Sequence, residues 1–295
     1  MAKIVEICGS PGVGKSTIFS EIICRWERNN KWTVATNLNP QGPESSYDFI
    51  KKIVKEVRKG KISVGSKSRK RESMYEFVRR IYREIKKGKN YVDEVVLKKA
   101  GDRFVAQYPR YVDACWNNIF YRQKKSSNGL DLRFEKTEFI YRVIKKIQVS
   151  RERKADKVVI LDEGLVNMID RGLYKSTNSE DEREEIYKLL EEMPVPDALV
   201  YIEIDLQENV NRILHRSDMR DMHRGLCVDE LINVTQKCRE RILTSIQYLE
   251  SKGIPVLYLN SNDTIQENAD KIIAFAESIE LATTFINVEK TAIPR

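Results

Sequence analysis

Short apolar, β-branched runs alternate along the chain with segments whose apolar positions recur every three to four residues. The runs predict five strands, at residues 3–8, 32–36, 157–161, 198–204 and 255–260. Helical patterns lie between them. Because parallel neighbours need long crossover connections, this alternation predicts a parallel sheet with right-handed crossovers and helices on its faces. We therefore expect an α/β fold.

The C-terminal half contains three further helical patterns. One begins at Leu206 and is expected to run to about Asp218, a second covers residues 230–251, and a third follows Thr264. Lys252 and Gly253 supply a stop for the second helix before the last strand.

About 110 residues between the second and third predicted strands contain no convincing strand pattern. Their apolar residues recur at helical spacing, in the groups Phe49/Ile53/Val57, Phe77/Ile81/Ile85, Val92/Val95/Val96, Val112/Cys115/Trp116/Ile119 and Phe134/Ile140/Ile144/Ile147. This pattern predicts a helical insert over residues 43–154 that projects from the sheet. Residues 1–42 and 155–295 are then expected to form the core. Two basic, aperiodic spacers in the insert, residues 60–71 and 123–131, are expected to be mobile loops.

Charge divides the chain in the same way. The formal net charge is +8, yet residues 50–157 alone carry 32 Lys and Arg against 13 Asp and Glu. The rest of the chain is acidic, so an acidic frame surrounds a basic middle. Such a block is either a surface that faces a polyanion or a set of solvated helix faces.

The composition also excludes some classes of site. The five cysteines contain no C-x-x-C pair, and the two histidines lack ligand partners at motif spacing, so a zinc site is not expected. The sequence predicts no signal peptide and contains no run of 18 apolar residues. We expect a cytoplasmic protein without a membrane segment, and the oligomeric state is not predicted.

The strongest motif follows the first predicted strand. The stretch GSPGVGKS matches G-x-x-x-x-G-K-[ST] at every specified position, and an amphipathic helix follows it. Such a loop cradles phosphates with backbone N–H groups, aided by the N-terminus of the helix. ATP is the expected cofactor, bound by Gly9, Ser10, Pro11, Gly12, Val13, Gly14, Lys15, Ser16 and Thr17. Lys15 is expected to reach the β- and γ-phosphates, and Ser16 to bind Mg²⁺.

Two acids follow the third predicted strand. The sequence ILDEG places Asp162 and Glu163 where a phosphate-loop enzyme needs an acid near Mg²⁺. Asp162 is therefore the second candidate metal ligand, together with Ser16.

Four segments together resemble the P-loop kinases of the nucleoside and nucleotide kinase group. They are GSPGVGKS, VVILDEG, NVNRILHRSDMR and VLYLNSNDT, and they cover the frame and not the insert. The resemblance implies a five-stranded parallel sheet of order 2-3-1-4-5. It implies that Asp162 or Glu163 serves Mg²⁺ or takes the proton of the acceptor. It also implies that residues 260–264 lie near the adenine and that the acceptor enters from the side of residues 36–43 and the insert.

Arginines of the third resembling segment complete the expected catalytic set. The resemblance implies that Arg212, Arg216 and Arg220 belong to a lid over the phosphates. Their four-residue spacing would place them on one flank of a continuous helix. One departure from the group is that Glu163-Gly164, and not an arginine, follows Asp162. An arginine of the lid or of the insert is then a candidate to replace it.

These observations predict an ATP-dependent phosphotransferase that acts on a small acceptor, a nucleoside or a nucleotide. The main alternative is a nucleic-acid-binding ATPase, or a polynucleotide-end kinase, that grips phosphate backbones with the basic insert. The adjacent acids also suit an ATPase, in which the second acid orients water. A nucleotide-dependent switch whose insert binds a partner is a third reading that remains open.

Overall fold

The computed structural model describes residues 2–26, 32–34, 91–122, 133–153, 157–169, 179–216 and 223–291 of the 295-residue chain. The spacers at residues 60–71 and 123–131, the acceptor entry at residues 36–43 and Arg220 lie outside these ranges. So do the helices expected around Phe49 and Phe77.

A parallel sheet lies at the centre of the fold. Its strands are β1 (Lys3–Cys8), β2 (Trp32–Val34), β3 (Val158–Leu161), β4 (Ala198–Glu203) and β5 (Val256–Asn260). Their order is β2-β3-β1-β4-β5, and every neighbouring pair is parallel. Each strand lies within a run that the apolar pattern predicts.

Helices cover both faces of this sheet. They are α1 (Lys15–Trp26), α2 (Tyr91–Gln107), α3 (Pro109–Arg122), α4 (Arg133–Arg153), α5 (Val166–Ile169), α6 (Ser179–Glu192), α7 (Leu206–Leu214), α8 (Val228–Ser251) and α9 (Ile265–Thr291). The expected α/β fold, a parallel sheet flanked by helices with a helical insert, is confirmed. No helix in the described ranges has both the length and the apolarity to span a membrane.

Alternation along the strands divides the core into two apolar clusters. In β1, Val5 and Ile7 face the cluster formed with α1 and α9, whereas Ile4 and Cys8 face the other. Successive side chains of a strand point to opposite faces, so each central strand contributes to both. Glu6 shares the second face with Ile4 and Cys8, although it is a charged residue type.

The described insert helices α3 and α4 belong to that second cluster. Tyr111 and Cys115 of α3 and Ile144 of α4 pack in one cluster with Val159 and Leu161 of β3. The expectation that the insert projects from the sheet is therefore wrong for these two helices. Their apolar faces are buried in the same cluster as side chains of the sheet, so both helices form part of the helical layer on that face.

One expected member of the apolar face of α4 is exposed. Phe134 leaves 85% of its surface accessible, whereas Ile140, Ile144 and Ile147 are buried. Phe134 occupies the first turn of α4, before the part of the helix that packs into the core. Membership of the apolar pattern therefore does not mean burial at this residue.

Helix α7 ends several residues earlier than the sequence predicts. The N–H of His215 still bonds to the carbonyl of Asn211, but His215 has φ −88° and ψ 4° and caps the helix. Arg212 therefore lies in the last turn of α7, and Arg216 follows the helix. The expectation that these arginines share one continuous helix is wrong.

Candidate functional site

Two glycines give the loop after β1 a path that no other residue could follow. Gly9 and Gly12 have φ values of 150° and 89°. A Cβ atom on Gly9 would lie 2.5 Å from the carbonyl oxygen of Ile202, and one on Gly12 would lie 2.7 Å from the side-chain nitrogen of Asn209. Positive φ and close packing thus both require glycine at these positions.

Buried amide side chains hold this loop from neighbouring elements. Asn209 of α7 is fully buried, accepts a hydrogen bond from the Ser10 hydroxyl at 2.6 Å and donates one to the carbonyl of Pro11 at 2.7 Å. Asn167 of α5 accepts a bond from the N–H of Gly9 at 3.3 Å. The start of the loop is therefore fixed by neutral hydrogen bonds in a buried setting, where unmade bonds are costly.

Helix α1 begins directly at the end of the loop. The N–H groups of Thr17 and Ile18 bond to the carbonyl of Gly14, which starts the helical pattern. The Lys15 ammonium donates hydrogen bonds to the carbonyls of Gly9 and Ser10. Its charge thus lies over the same loop whose N–H groups and helix terminus favour an anion.

A buried carboxyl lies beneath the loop and the acid turn. Glu6 is 1% exposed, and it accepts hydrogen bonds from the N–H groups of Val166 at 3.3 Å and Asn167 at 2.9 Å. A Cβ atom on Gly164 would overlap the Glu6 carboxylate. Burial raises the pKa of Glu6 to about 7, and the backbone hydrogen bonds offset part of that rise.

The acid turn after β3 contacts the insert. Asp162 forms an ion pair with Lys146 of α4, with the ammonium nitrogen 2.6 Å from carboxylate Oδ1. Lys146 is 13% exposed, and Asp162 is 33% exposed. A charged pair shielded to this degree is screened less than a surface pair.

The last turn of α7 reaches the loop through a serine. Arg212 donates a hydrogen bond to the Ser261 hydroxyl at 2.8 Å, and that hydroxyl donates to the carbonyl of Val13 at 2.7 Å. Arg212 is also paired with Glu208 one turn earlier. The segment after β5 is therefore connected to the phosphate loop and to an arginine of the expected set.

One cavity of about 420 Å³ brings most of the expected site residues together. Its walls are formed by the phosphate loop, the acid turn and the end of α7. The lining residues are Pro11, Gly12, Gly14, Lys15, Ser16, Thr17, Asp162, Glu163, Arg212 and Arg216. Gly9, Ser10 and Val13 belong to the same loop but are not among them, and Arg220 lies outside the described residues. The chemical roles of these residues stay predictions.

The oxygen donors in this cavity suit Mg²⁺. The Ser16 hydroxyl and the Asp162 carboxylate line the same space, and both are hard oxygen ligands. Within the described residues, no cluster of three or more His, Cys, Asp or Glu could hold a metal by itself. This combination fits an ion that keeps several waters and binds partly through phosphates, as Mg²⁺ does.

Several residues that position this site were not among those predicted from the sequence. Glu6 and Asn209 carry a signal, because each is a polar residue on an apolar face that points into the core. Asn167 follows the acid turn closely but has no distinctive spacing. Lys146 has no signal, since it is one of many lysines in the basic insert. Ser261 lies in the loop expected near the adenine, where no role was assigned to it.

Comparisons with known proteins do not assign the chain to a family. No family model and no curated protein sequence matches it. A solved structure of deoxyadenosine kinase from M. mycoides, with the products dCMP and a flexible dCDP bound, is similar at a TM-score of 0.42. The two chains are 12% identical, and the match covers 93% of this chain and 99% of that one. A resemblance at this distance carries no statement about activity.

Proposed function

We propose that this chain is an ATP-dependent phosphotransferase that moves the γ-phosphoryl group to a small acceptor, a nucleoside or a nucleotide. The observation that carries the proposal is one cavity that is lined by residues of the phosphate loop, by Asp162 and Glu163, and by Arg212 and Arg216. Phosphoryl transfer depends mainly on positioning and on neutralisation of charge, and these residue types supply both.

Each side chain would have a definite task in this reaction. The backbone N–H groups of the loop bind the phosphate chain, and Lys15 turns from the loop carbonyls to the β- and γ-phosphates. Ser16 and Asp162 hold Mg²⁺, which neutralises charge on the phosphates when it is bound. Arg212 and Arg216 neutralise charge on the group in transfer.

The bonds exchanged follow from this arrangement. The bond from the γ-phosphorus to the β,γ-bridging oxygen breaks, and a bond forms to an acceptor hydroxyl or phosphate oxygen. Where the acceptor is a hydroxyl, Asp162 or Glu163 accepts its proton. The acceptor class rests on the resemblance of the frame segments to nucleoside and nucleotide kinases.

A nucleic-acid-dependent ATPase is the second candidate, because Asp162 and Glu163 both line the cavity and a second acid could orient water. The basic insert would then grip a phosphate backbone. Single-turnover release of labelled phosphate separates the two candidates. The protein is incubated with ATP alone and with pools of nucleosides, nucleotides, sugars or oligonucleotides.

Two variants sharpen this experiment. For a phosphotransferase, Asp162→Asn should abolish transfer while ATP still binds, and Glu163→Gln should weaken transfer less. Loss of a general base costs about 10²–10⁴-fold, which is enough to rank the two variants. Fast hydrolysis in water that oligonucleotides stimulate, and that Glu163→Gln eliminates with ATP still bound, would instead establish the ATPase.

A further inference from the structure

An insert helix reaches the phosphate cavity through one ion pair. Lys146 belongs to α4, and its ammonium nitrogen lies 2.6 Å from Oδ1 of Asp162, the first residue after β3. Asp162 lines the cavity together with the phosphate loop. The described part of the insert thus contacts a side chain at the centre of the site.

The backbone that carries Lys146 is firmly placed. Its neighbours Ile144 and Ile147 are buried in the core cluster that includes β3. One turn further along α4, the Arg151 guanidinium donates a hydrogen bond to the carbonyl of Val195 at 2.8 Å. Because α4 is anchored on both sides of Lys146, the ammonium group has a defined position and can orient the carboxylate that it binds.

Charge makes this pair more than a packing contact. An ammonium group that is mostly withdrawn from water needs a partner, and removal of one member leaves the other uncompensated. A carboxylate has two oxygens, so Lys146 on Oδ1 still allows a cation to bind at Oδ2. The same ammonium group repels that cation, since both are positive.

We propose that Lys146 is a positioning residue for the metal-binding carboxylate Asp162, through which the insert sets the Mg²⁺ dependence of the site. The inference rests on the proposed function, since it concerns the metal that accompanies a bound nucleotide. Lys146 fixes where the Asp162 carboxylate lies and lowers the net negative charge that a metal meets there. It therefore favours correct placement at the expense of metal affinity.

Tighter Mg²⁺ binding together with slower turnover distinguishes this role from a structural one. In Lys146→Met, the Mg²⁺ concentration that half-saturates ADP binding should fall about three- to tenfold, because a repelling charge has gone. Turnover at saturating Mg²⁺ should fall about tenfold, because the carboxylate is no longer held. A loss of stability alone would leave the Mg²⁺ dependence of the folded protein unchanged.

The experiment is calorimetric titration with ADP over a series of Mg²⁺ concentrations. Lys145→Met is the matched control: it removes one positive charge from the same helix, where the Lys145 ammonium lies over the Tyr141 ring and not on Asp162. Lys146→Arg should restore most of the wild-type Mg²⁺ dependence. If Lys146→Met does not fold, Lys146→Gln carries the same comparison.

A double-variant cycle tests whether the effect passes through Asp162. In the Asp162→Asn background, Lys146→Met should change the Mg²⁺ dependence of ADP binding clearly less than in the wild-type background, because the ammonium group no longer neutralises and places a metal-binding carboxylate. An unchanged or increased Mg²⁺ requirement in Lys146→Met, or the same shift in Lys145→Met, would overturn the positioning role alone. Failure of the wild-type protein to bind ADP at any Mg²⁺ concentration would overturn the proposed function, and this inference with it.

Discussion

The phosphate loop, residues 9–16, and the acid turn, residues 162–164, line the same cavity but are held by different kinds of contact. Buried amides and glycine geometry fix the loop, through Asn209 and the N–H of Gly9. The acid turn depends on ionisable groups, since Lys146 binds Asp162 and the Glu6 carboxyl lies against Gly164. Contacts between groups that do not ionise resist changes of pH and salt, whereas contacts of ionisable groups respond to them.

This difference predicts how variants on the two sides should behave. Changes to the contacts that hold the loop should alter nucleotide affinity with little dependence on pH or Mg²⁺. Changes around the acid turn should alter the dependence on pH or Mg²⁺.

Lys15 is the charged exception within the loop, and its removal should have the largest effect. Lys15→Ala removes the cation expected at the β- and γ-phosphates, so transfer should fall by about 10²–10³-fold while the protein stays folded. Single-turnover transfer and a thermal melt check both parts. The control is Lys188→Ala, at an exposed lysine of α6. Turnover like that of the wild type in Lys15→Ala would contradict the phosphate-loop assignment.

The buried Glu6 carboxyl should make stability depend on pH. Its pKa of about 7 exceeds the ordinary value of 4.5, so the folded state binds the proton more tightly than the unfolded state. The stabilisation from this proton is complete below pH 4.5 and is lost as the pH rises through about 7. The difference between these pKa values corresponds to at most about 3 kcal/mol.

Glu6→Gln isolates this contribution, because glutamine cannot lose the proton. The free energy of unfolding of the wild type, relative to that of Glu6→Gln, should fall between pH 5 and pH 8. Chemical denaturation at several pH values measures it, and the comparison near pH 5 is the internal reference for packing differences. Parallel pH profiles for the two proteins would show that Glu6 titrates with an ordinary pKa.

Local chemistry explains what the sequence reveals about this molecule. The strands follow from apolar runs, and the phosphate loop follows from the spacing of its glycines and of Lys15, because backbone geometry restricts which residues fit there. The acids after β3 follow from their position at a strand end. These features depend on residues that are close together in the chain.

Contacts between distant segments are what the sequence does not reveal. Lys146 and Asp162 meet because α4 packs into the same apolar cluster as β3, and nothing in a lysine-rich helix marks one lysine as the partner. Helix α7 ends before Arg216, with His215 as its cap. The regular spacing of the arginines could not show this, because spacing does not indicate where a helix ends. The position of the insert helices could not be predicted either, because helical periodicity predicts an apolar face but not the surface that this face covers.

Asn209 tests the neutral hydrogen bonds that hold the phosphate loop. Asn209→Ala leaves the Ser10 hydroxyl and the Pro11 carbonyl without this partner, at a cost of about 1–3 kcal/mol in stability. Nucleotide affinity should fall by about tenfold because the loop is less well held, and the Mg²⁺ dependence should stay that of the wild type. Asn211→Ala, at an exposed position of the same helix, is the matched control. A changed Mg²⁺ dependence in Asn209→Ala would remove the distinction between the two sides.

The smallest expected effect concerns the serine that joins Arg212 to the loop. The Ser261 hydroxyl accepts from Arg212 and donates to the carbonyl of Val13, so Ser261→Ala removes both bonds and leaves every charge in place. A neutral hydrogen bond contributes about 0.5–1.5 kcal/mol, and one to a charged group about twice that. Solvent can replace part of each bond because Arg212 is about one-third exposed, so ATP affinity should fall only about three- to tenfold.

Calorimetric titration with ATP measures this change, with Ser251→Ala at the exposed end of α8 as the control. If Ser261 acts by orienting Arg212, Ser261→Ala should have little further effect in an Arg212→Ala background. Equal losses of ATP affinity in both backgrounds would mean that Ser261 supports the phosphate loop by itself. Arg212 would then not be among the residues that hold the loop.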